Sequence, residues 1–237
     1  MKEKPILFST KMVEALLNGS KTQTRRVIKP NDLRPTEIDN FRNGKNLPYQ
    51  PGDQLWVRET FRIAGWWEGE PYLVEYKDGT RLFEPHSSED YDEDKYAEYA
   101  IQSSEECIDA GAPRDKEGYF HFPDGFELAT KWRPSIFMPR WASRITLEVT
   151  GVALQQLQDI TEEEAFAEGL YVHSQRDGDY YHYDNKAPLH KWFVSPDDAF
   201  RFLWDSINEK RGFCWEMNPW VWVVTFKVVF GGKAGAA

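Results

Sequence analysis

The sequence is poor in cysteine, lacks a long apolar run and has fewer basic than acidic side chains. Cys107 and Cys214 are its two cysteines and form no CxxC pair, which argues against a disulfide framework and a zinc site. The five histidines show no HxxxH or HxH spacing, so we expect no metal and no cofactor. No run approaches the roughly 18 apolar residues of a membrane span, and the start shows no signal-peptide core. We therefore expect a cytoplasmic protein with no membrane partner.

The 237 residues include 29 Lys+Arg and 39 Asp+Glu, which gives a net charge of −10. The acidic excess lies in residues 63–130, which hold 5 basic and 18 acidic side chains, whereas residues 1–62 hold 12 basic and 7 acidic ones. Such a protein is a poor candidate for tight, non-specific duplex binding, although a small or local nucleic-acid ligand remains compatible with it. The acidic segment is most simply a solvated excursion. The alternative is that the basic segments form one face for a phosphate-bearing ligand, while the acidic segment lies elsewhere or covers that face.

Hydrophobic periodicity predicts short strands and short helices without a regular βαβ alternation. Helices are expected from Ser9 or Thr10 to Gly19, from Thr161 to Gly169 through a capping box with Glu164, and after Ser195-Pro196. Strands are expected near residues 5–8, 22–28, 54–61, 143–154 and 220–230, with weaker candidates at 72–76 and 119–122 and a hairpin within 171–194.

This order predicts an α+β fold with a partly closed antiparallel sheet. We expect one domain over residues 1–230, with residues 63–130 as an acidic insertion too poor in apolar residues for its own core. Residues 231–237 are expected to be a flexible tail.

A basic segment, Gly19-Ser-Lys-Thr-Gln-Thr-Arg-Arg26, follows the first predicted helix. It can be an exposed basic strand after a glycine cap. Alternatively, Lys21 and Thr24 form a nucleophile-and-base pair, provided that burial lowers the pKa of the lysine. Strict alternation places Lys21 with Arg25 and opposite Thr24, so the pair can meet only if Lys21 precedes the regular strand.

Glu168 is the second candidate, because it lies in the last turn of a predicted helix, where the helix dipole disfavours a carboxylate. It is either a solvated helix-end acid or a partner of Lys21. The third candidate is Trp56-Val-Arg58-Glu59, in which Trp56 and Arg58 share one face of a strand and Glu59 points toward the core. Trp56 and Arg58 can stack on a base and hold a phosphate, although most strand tryptophans belong to a core or a barrel rim.

The pattern Gly19-x-Lys21-x-x-Thr24-x-Arg26 resembles the signature of the ASCH family of PUA-like domains. Three further segments, residues 5–10, 51–60 and 218–224, are similar to the enlarged ASCH proteins of bacteriophages and prophages. The resemblance covers most of residues 5–62 and 131–230 and implies a small PUA-like barrel with flanking helices.

Small ASCH proteins with this signature are amidohydrolases that deacylate N4-acetylcytidine. The resemblance therefore implies Thr24 as nucleophile, Lys21 as its base and Glu168 as the group that orients Lys21 or protonates the leaving amine. It also implies that Arg26 holds the ligand or the barrel mouth, with Arg25, Trp56, Arg58 and Glu59 as further ligand-binding candidates. The expected partner is a nucleoside or a single-stranded or modified nucleic acid.

Other members of the family bind RNA or modified bases without catalysis, and ribonuclease activity occurs among them. A binding module, a nuclease, and an interaction protein that acts on a host protein through residues 63–130 therefore remain alternatives, because a shared site does not establish a shared reaction.

Overall fold

A computed structural model describes residues 2–29, 40–41, 47–67, 70–83, 93–120 and 130–231. The strands are β1 (Glu3–Leu7), β2 (Gln23–Val27), β3 (Gln54–Arg58), β4 (Phe61–Trp67), β5 (Glu70–Tyr76), β6 (Arg81–Phe83), β7 (Ile145–Gln156), β8 (Tyr171–Gln175), β9 (Gly178–His182) and β10 (Trp220–Gly231). The helices are α1 (Thr10–Leu17), α2 (Glu93–Asp109), α3 (Glu162–Ala167) and α4 (Pro196–Asn208). This mixture confirms the predicted α+β class.

The strands form a five-stranded sheet in the order β1-β3-β7-β10-β2, a three-stranded sheet in the order β4-β5-β6, and the hairpin β8-β9. Strand β10 pairs antiparallel with β2, so that Val224 lies opposite Thr24 and Val223 opposite Arg25. The strand predicted near residues 220–230 is present as β10, which lies inside the sheet with a neighbour on each side.

Chain contacts divide the protein into two compact units. The first unit comprises Met1–Lys4, Lys11–Leu55 and Thr146–Val229, and the second comprises Pro5–Thr10, Trp56–Ile145 and Phe230–Ala237.

The core of the first unit includes residues from α3, α4 and β10. The cluster contains Leu157, Ile160, Ala165, Leu170, Ala199, Phe200, Leu203, Trp204, Val221 and Val223. Helix α4 begins where Ser195 accepts a hydrogen bond from the Asp197 amide, with Pro196 in the first turn, as its sequence predicts. Ile207 lies on the exposed side of α4.

The second unit has a hydrophobic core of its own, formed by Phe61, Ile63, Val74, Tyr76, Met138, Trp141 and Ala142. We expected residues 63–130 to be too poor in apolar side chains for a core of their own. Ile63, Val74 and Tyr76 supply part of this core, together with residues outside that segment. We expected one strand over residues 54–61, whereas β3 ends at Arg58 and β4 begins at Phe61 in a different sheet. Helix α2 and strand β6 were not expected. The weak strand candidate at 72–76 is confirmed within β5.

Several predictions fall on residues outside the described part of the chain. These are the end of the strand candidate at 119–122, two of the five histidines (His86 and His121), and the tail beyond residue 231. Within the described ranges, no helix is long and apolar enough to cross a membrane. The same ranges contain no cluster of three or more His, Cys, Asp or Glu side chains arranged to hold a metal ion.

Candidate functional site

Lys21 is placed in the first unit by the end of helix α1. Gly19 adopts a positive φ of 81° after the helix, a conformation that glycine reaches without strain, and the Lys21 amide then donates to the Ala15 carbonyl at 2.9 Å. Lys21 forms an isolated antiparallel bridge with Glu168, two residues before β2 begins. It therefore precedes the regular strand, as a meeting with Thr24 requires.

Glu168 is placed by the short helix α3. Thr161 and Glu164 form the predicted capping box at its start, and Glu168 is the C-cap residue. Gly169 follows with a φ of 98°, and a Cβ at this position would lie 2.8 Å from the Ala15 Cβ. Only glycine therefore lets the end of α3 approach α1 closely enough to bring Glu168 beside Lys21.

The amine of Lys21 and the carboxylate of Glu168 meet in a buried place. Lys21 Nζ donates to Glu168 Oε2 at 2.8 Å and to the Glu168 carbonyl at 2.8 Å. Lys21 is 1% exposed and Glu168 is 4% exposed. Burial lowers the pKa of Lys21, and the nearby Glu168 carboxylate opposes that shift without cancelling it. The predicted partnership of these two residues is thus present in the structure.

Arg25 contacts the same carboxylate. Its Nη1 donates to Glu168 Oε1 at 3.2 Å, and its Nη2 donates to Glu164 at 2.7 Å and to Gln155 at 2.9 Å. We call Lys21, Arg25, Glu164 and Glu168 the ion cluster. Since the side chain of Arg25 is buried among these partners, the geometry favours a role in holding Glu168 over the direct ligand contact expected from the sequence.

Thr24 is also buried, but it precedes Arg25 in the regular strand β2. Side chains alternate along a strand, so Thr24 faces away from the side on which Arg25 meets Glu168. The ladder agrees, because Arg25 lies opposite Val223, a member of the core formed with α3 and α4, and Thr24 lies opposite Val224. The structure brings Lys21 and Glu168 together and places the Thr24 hydroxyl on the other face of β2.

Arg26 follows on the same side of β2 as Thr24 by the same alternation. Burial lowers the pKa of its guanidinium, and the charges of Tyr49 and Glu168 oppose that shift. Arg26 is therefore a partly buried cation that lies close enough to the ion cluster for the Glu168 charge to act on it.

The remaining predicted residues lie in the second unit. Arg58 places its guanidinium 5.4 Å from the ring centroid of Trp56, so the two share a face as expected. Glu59 points inward, and both of its oxygens accept hydrogen bonds from Arg144 at 2.8 Å. Arg144 also donates to Asp78 at 2.7 Å. This geometry favours a structural role for Glu59, in contrast to the ligand-binding role expected from the sequence.

Two residues that bind the predicted site residues were not identified from the sequence. Glu164 was identified only as a helix cap, yet it also binds Arg25. Arg144 received no role, although an arginine directly before a buried strand and a glutamate predicted to point inward are together a signal for a buried pair.

Comparison with known proteins identifies one similar structure of low similarity. No protein-family model matches the chain, and no curated protein matches it. The chain is similar to the crystal structure of an ASCH domain from Lactobacillus crispatus JV V101, with 12% identity and a TM-score of 0.36. The alignment covers 97% of this chain and 80% of that one. Values this low establish neither a family nor a function.

Proposed function

We propose that the first unit is an ASCH-type domain of the enlarged phage kind that recognises a nucleobase or nucleoside and hydrolyses the acyl amide of an N4-acylated cytidine. The observation that carries this proposal is the buried contact of 2.8 Å between Lys21 and Glu168, two residues that are 147 positions apart. The sequence signature from Gly19 to Arg26 suggests both the family and the substrate class.

In the proposed reaction the Thr24 hydroxyl attacks the acyl carbon, and the neutral amine of Lys21 accepts the hydroxyl proton. This step requires the Lys21 amine, which contacts Glu168 in the structure, to reach the face of β2 on which Thr24 lies. The C–N bond of the tetrahedral intermediate breaks, and the proton passes from Lys21 to the leaving amine to give cytidine. Water then hydrolyses the acyl-threonine ester and releases the carboxylic acid.

Burial supports the role of Lys21, because its lowered pKa increases the fraction of free amine that can act as a base. Glu168 orients that amine through the bond to Oε2. Arg26 supplies positive charge on the side of β2 where Thr24 lies, which suits an oxyanion that forms when Thr24 attacks.

The test is release of cytidine from N4-acetylcytidine, followed by chromatography. We expect Lys21→Met, Thr24→Val and Glu168→Gln to reduce kcat by about 100-fold or more while far-UV circular dichroism is unchanged. Thr146→Val is the matched control, because Thr146 is another buried strand threonine of the same unit. Turnover that survives Thr24→Val would exclude the acyl-threonine route.

A second candidate is a binding module without catalysis, and the position of Thr24 on the face of β2 away from Arg25 and Glu168 favours it. This alternative predicts that cytidine or its N4-acetyl derivative binds with no turnover. Equilibrium dialysis beside the hydrolysis assay separates the two candidates, since binding without released cytidine would support the module.

A further inference from the structure

A cleft of about 480 Å³ lies in the second unit. This volume falls within the range of small-molecule sites, about 300 to 1,000 Å³. Tyr99, Trp132 and Phe137 supply aromatic surface, and the charged side chains of the lining are Glu98, Glu106, Lys131 and Arg133. Glu106 already accepts hydrogen bonds from the Lys131 amide at 2.7 Å and from Arg133 at 3.5 Å, which leaves Glu98 as the carboxylate for a ligand. Glu98 is exposed and accepts a bond from Gln102 in the next turn of α2, at 3.0 Å to Oε1. The cleft therefore offers aromatic contact together with a hydrogen-bond acceptor.

Arg58 lies beside this cleft. It donates to the Ile136 carbonyl, and Phe137, the next residue, is part of the cleft wall. Within the described part of the chain, Arg58 forms no ion pair with a carboxylate, and its buried Nε has no hydrogen-bond acceptor. A buried donor without an acceptor is unusual in a protein, and an anion held at this guanidinium would balance its unpaired charge.

A second guanidinium approaches the same indole. Arg140 lies 6.0 Å from the ring centroid of Trp56, compared with 5.4 Å for Arg58. Two arginines around one partly exposed tryptophan form a cationic, aromatic surface within residues 56–145, which hold 11 Lys+Arg and 19 Asp+Glu. Such a surface suits a phosphate attached to a planar ring.

The turn Ser135–Phe137, between the cleft and the two arginines around Trp56, exposes large apolar side chains. Ile136 is 59% exposed and Phe137 is 62% exposed, although the side chains of Arg58 and Tyr99 donate hydrogen bonds to their carbonyls. A ring stacked on Phe137 would cover apolar surface that now faces water.

We infer that the second unit binds a nucleotide whose base carries an exocyclic amine, with the phosphate at Arg58 and Arg140 and the base in the cleft. A carboxylate accepts from an exocyclic amine and repels a phosphate, so Glu98 and Arg58 fix the direction of the ligand. The inference does not depend on the proposed hydrolase, because all of these residues belong to the second unit.

The experiment is calorimetric titration of the full chain with cytidine monophosphate, uridine monophosphate, cytidine and a six-nucleotide oligocytidylate. We expect cytidine monophosphate to bind at least about tenfold more tightly than cytidine or uridine monophosphate, because each of these lacks one charge-assisted hydrogen-bonding group. The oligonucleotide shows whether the ligand is a free nucleotide or part of a nucleic-acid strand. Binding of the monophosphate assigns a free nucleotide, and binding of the oligocytidylate alone assigns a strand.

Three variants connect the binding to these residues. Arg58→Gln should weaken the monophosphate at least about tenfold and remove its advantage over cytidine, and Glu98→Gln should remove its advantage over uridine monophosphate. Arg114→Gln is the matched control, since Arg114 stacks on Phe120 at 4.5 Å elsewhere in the same unit. It should bind like the wild type.

The inference is overturned if the wild type binds neither the monophosphate nor the oligonucleotide, or if Arg58→Gln and Arg114→Gln bind equally well. Binding that is lost in Glu168→Gln and kept in Arg58→Gln would also overturn it. That result would place the nucleotide in the first unit and leave the proposed hydrolase standing.

Discussion

Replacing Glu168 by glutamine changes the ion cluster by one charge and almost no volume. Lys21 and Arg25 both bind the Glu168 carboxylate at buried positions. Removal of one partner from a buried ion pair costs about 3–5 kcal/mol of stability. Arg25 keeps its contact with Glu164 at 2.7 Å, so Lys21 alone loses its anion. We therefore expect a loss at the lower end, about 3 kcal/mol at neutral pH.

The loss should depend on pH in a defined direction. Burial places the pKa of Lys21 in the folded protein below the unfolded value of about 10.4. Between those two values the unfolded chain binds more protons, so stability rises with pH, by at most about 1.4 kcal/mol per unit. Without the Glu168 charge the pKa of Lys21 falls further, and the rise begins at a lower pH. The difference between variant and wild type should therefore shrink as the pH is raised.

Urea unfolding followed by far-UV circular dichroism, from about pH 7 to about pH 9.5, measures this difference. Glu216→Gln is the control, because Glu216 forms an exposed pair with Arg201 and should cost no more than about 1 kcal/mol. The reasoning is refuted if Glu168→Gln costs no more than this control, or if its cost is the same at every pH.

Three further changes test other parts of the fold. Arg144→Met removes the cation that binds Glu59, and we expect a loss of about 3–5 kcal/mol at neutral pH in urea unfolding. Burial raises the pKa of Glu59, so the unpaired carboxyl takes up a proton as the pH falls, and the loss should shrink in acid; an equal loss at every pH would contradict this. Gly169→Ala places a Cβ 2.8 Å from the Ala15 Cβ at a φ of 98° and should lower Tm through a cost of about 1–3 kcal/mol, whereas an unchanged Tm would show that α1 and α3 can separate there freely. Thr161→Ala removes the capping box of α3 and should cost about 1 kcal/mol in the same thermal assay, and no loss would show that the cap is dispensable.

The elements of the first unit could be predicted from the sequence because their signals are local. The Thr161–Glu164 box, the Ser195-Pro196 start and the alternation in 143–154 each depend on residues within a few positions of one another. The pair of Lys21 and Glu168 was reached differently, by noticing that a carboxylate at the negative end of a helix needs a cation.

The second unit was predicted less well, because its core is assembled from distant residues. Phe61, Tyr76 and Trp141 pack in one cluster although up to 80 positions separate them. Helix α2 is rich in acidic residues, and its apolar residues are too few to give a strong helical pattern. No local signal indicates which of many acids an arginine will meet, so the contacts of Arg25 could not be derived from the sequence.

The ion cluster connects the start of helix α3 to the amine of Lys21, which lies at the end of that helix. The Glu164 carboxylate accepts hydrogen bonds from the Thr161 amide and from Arg25. Arg25 also donates to one oxygen of Glu168, and Lys21 donates to the other. Burial lowers the pKa of Lys21, the Glu168 carboxylate opposes that shift, and the charges of Arg26 and Arg25 add to it. Lys21 is therefore positioned by a carboxylate that also binds Arg25. An ion pair between Lys21 and Glu168 alone would stabilise the ammonium form of Lys21 and leave less of the free amine that can act as a base. The shared carboxylate orients Lys21 and still leaves it able to lose its proton, and this is the property that the proposed hydrolase needs.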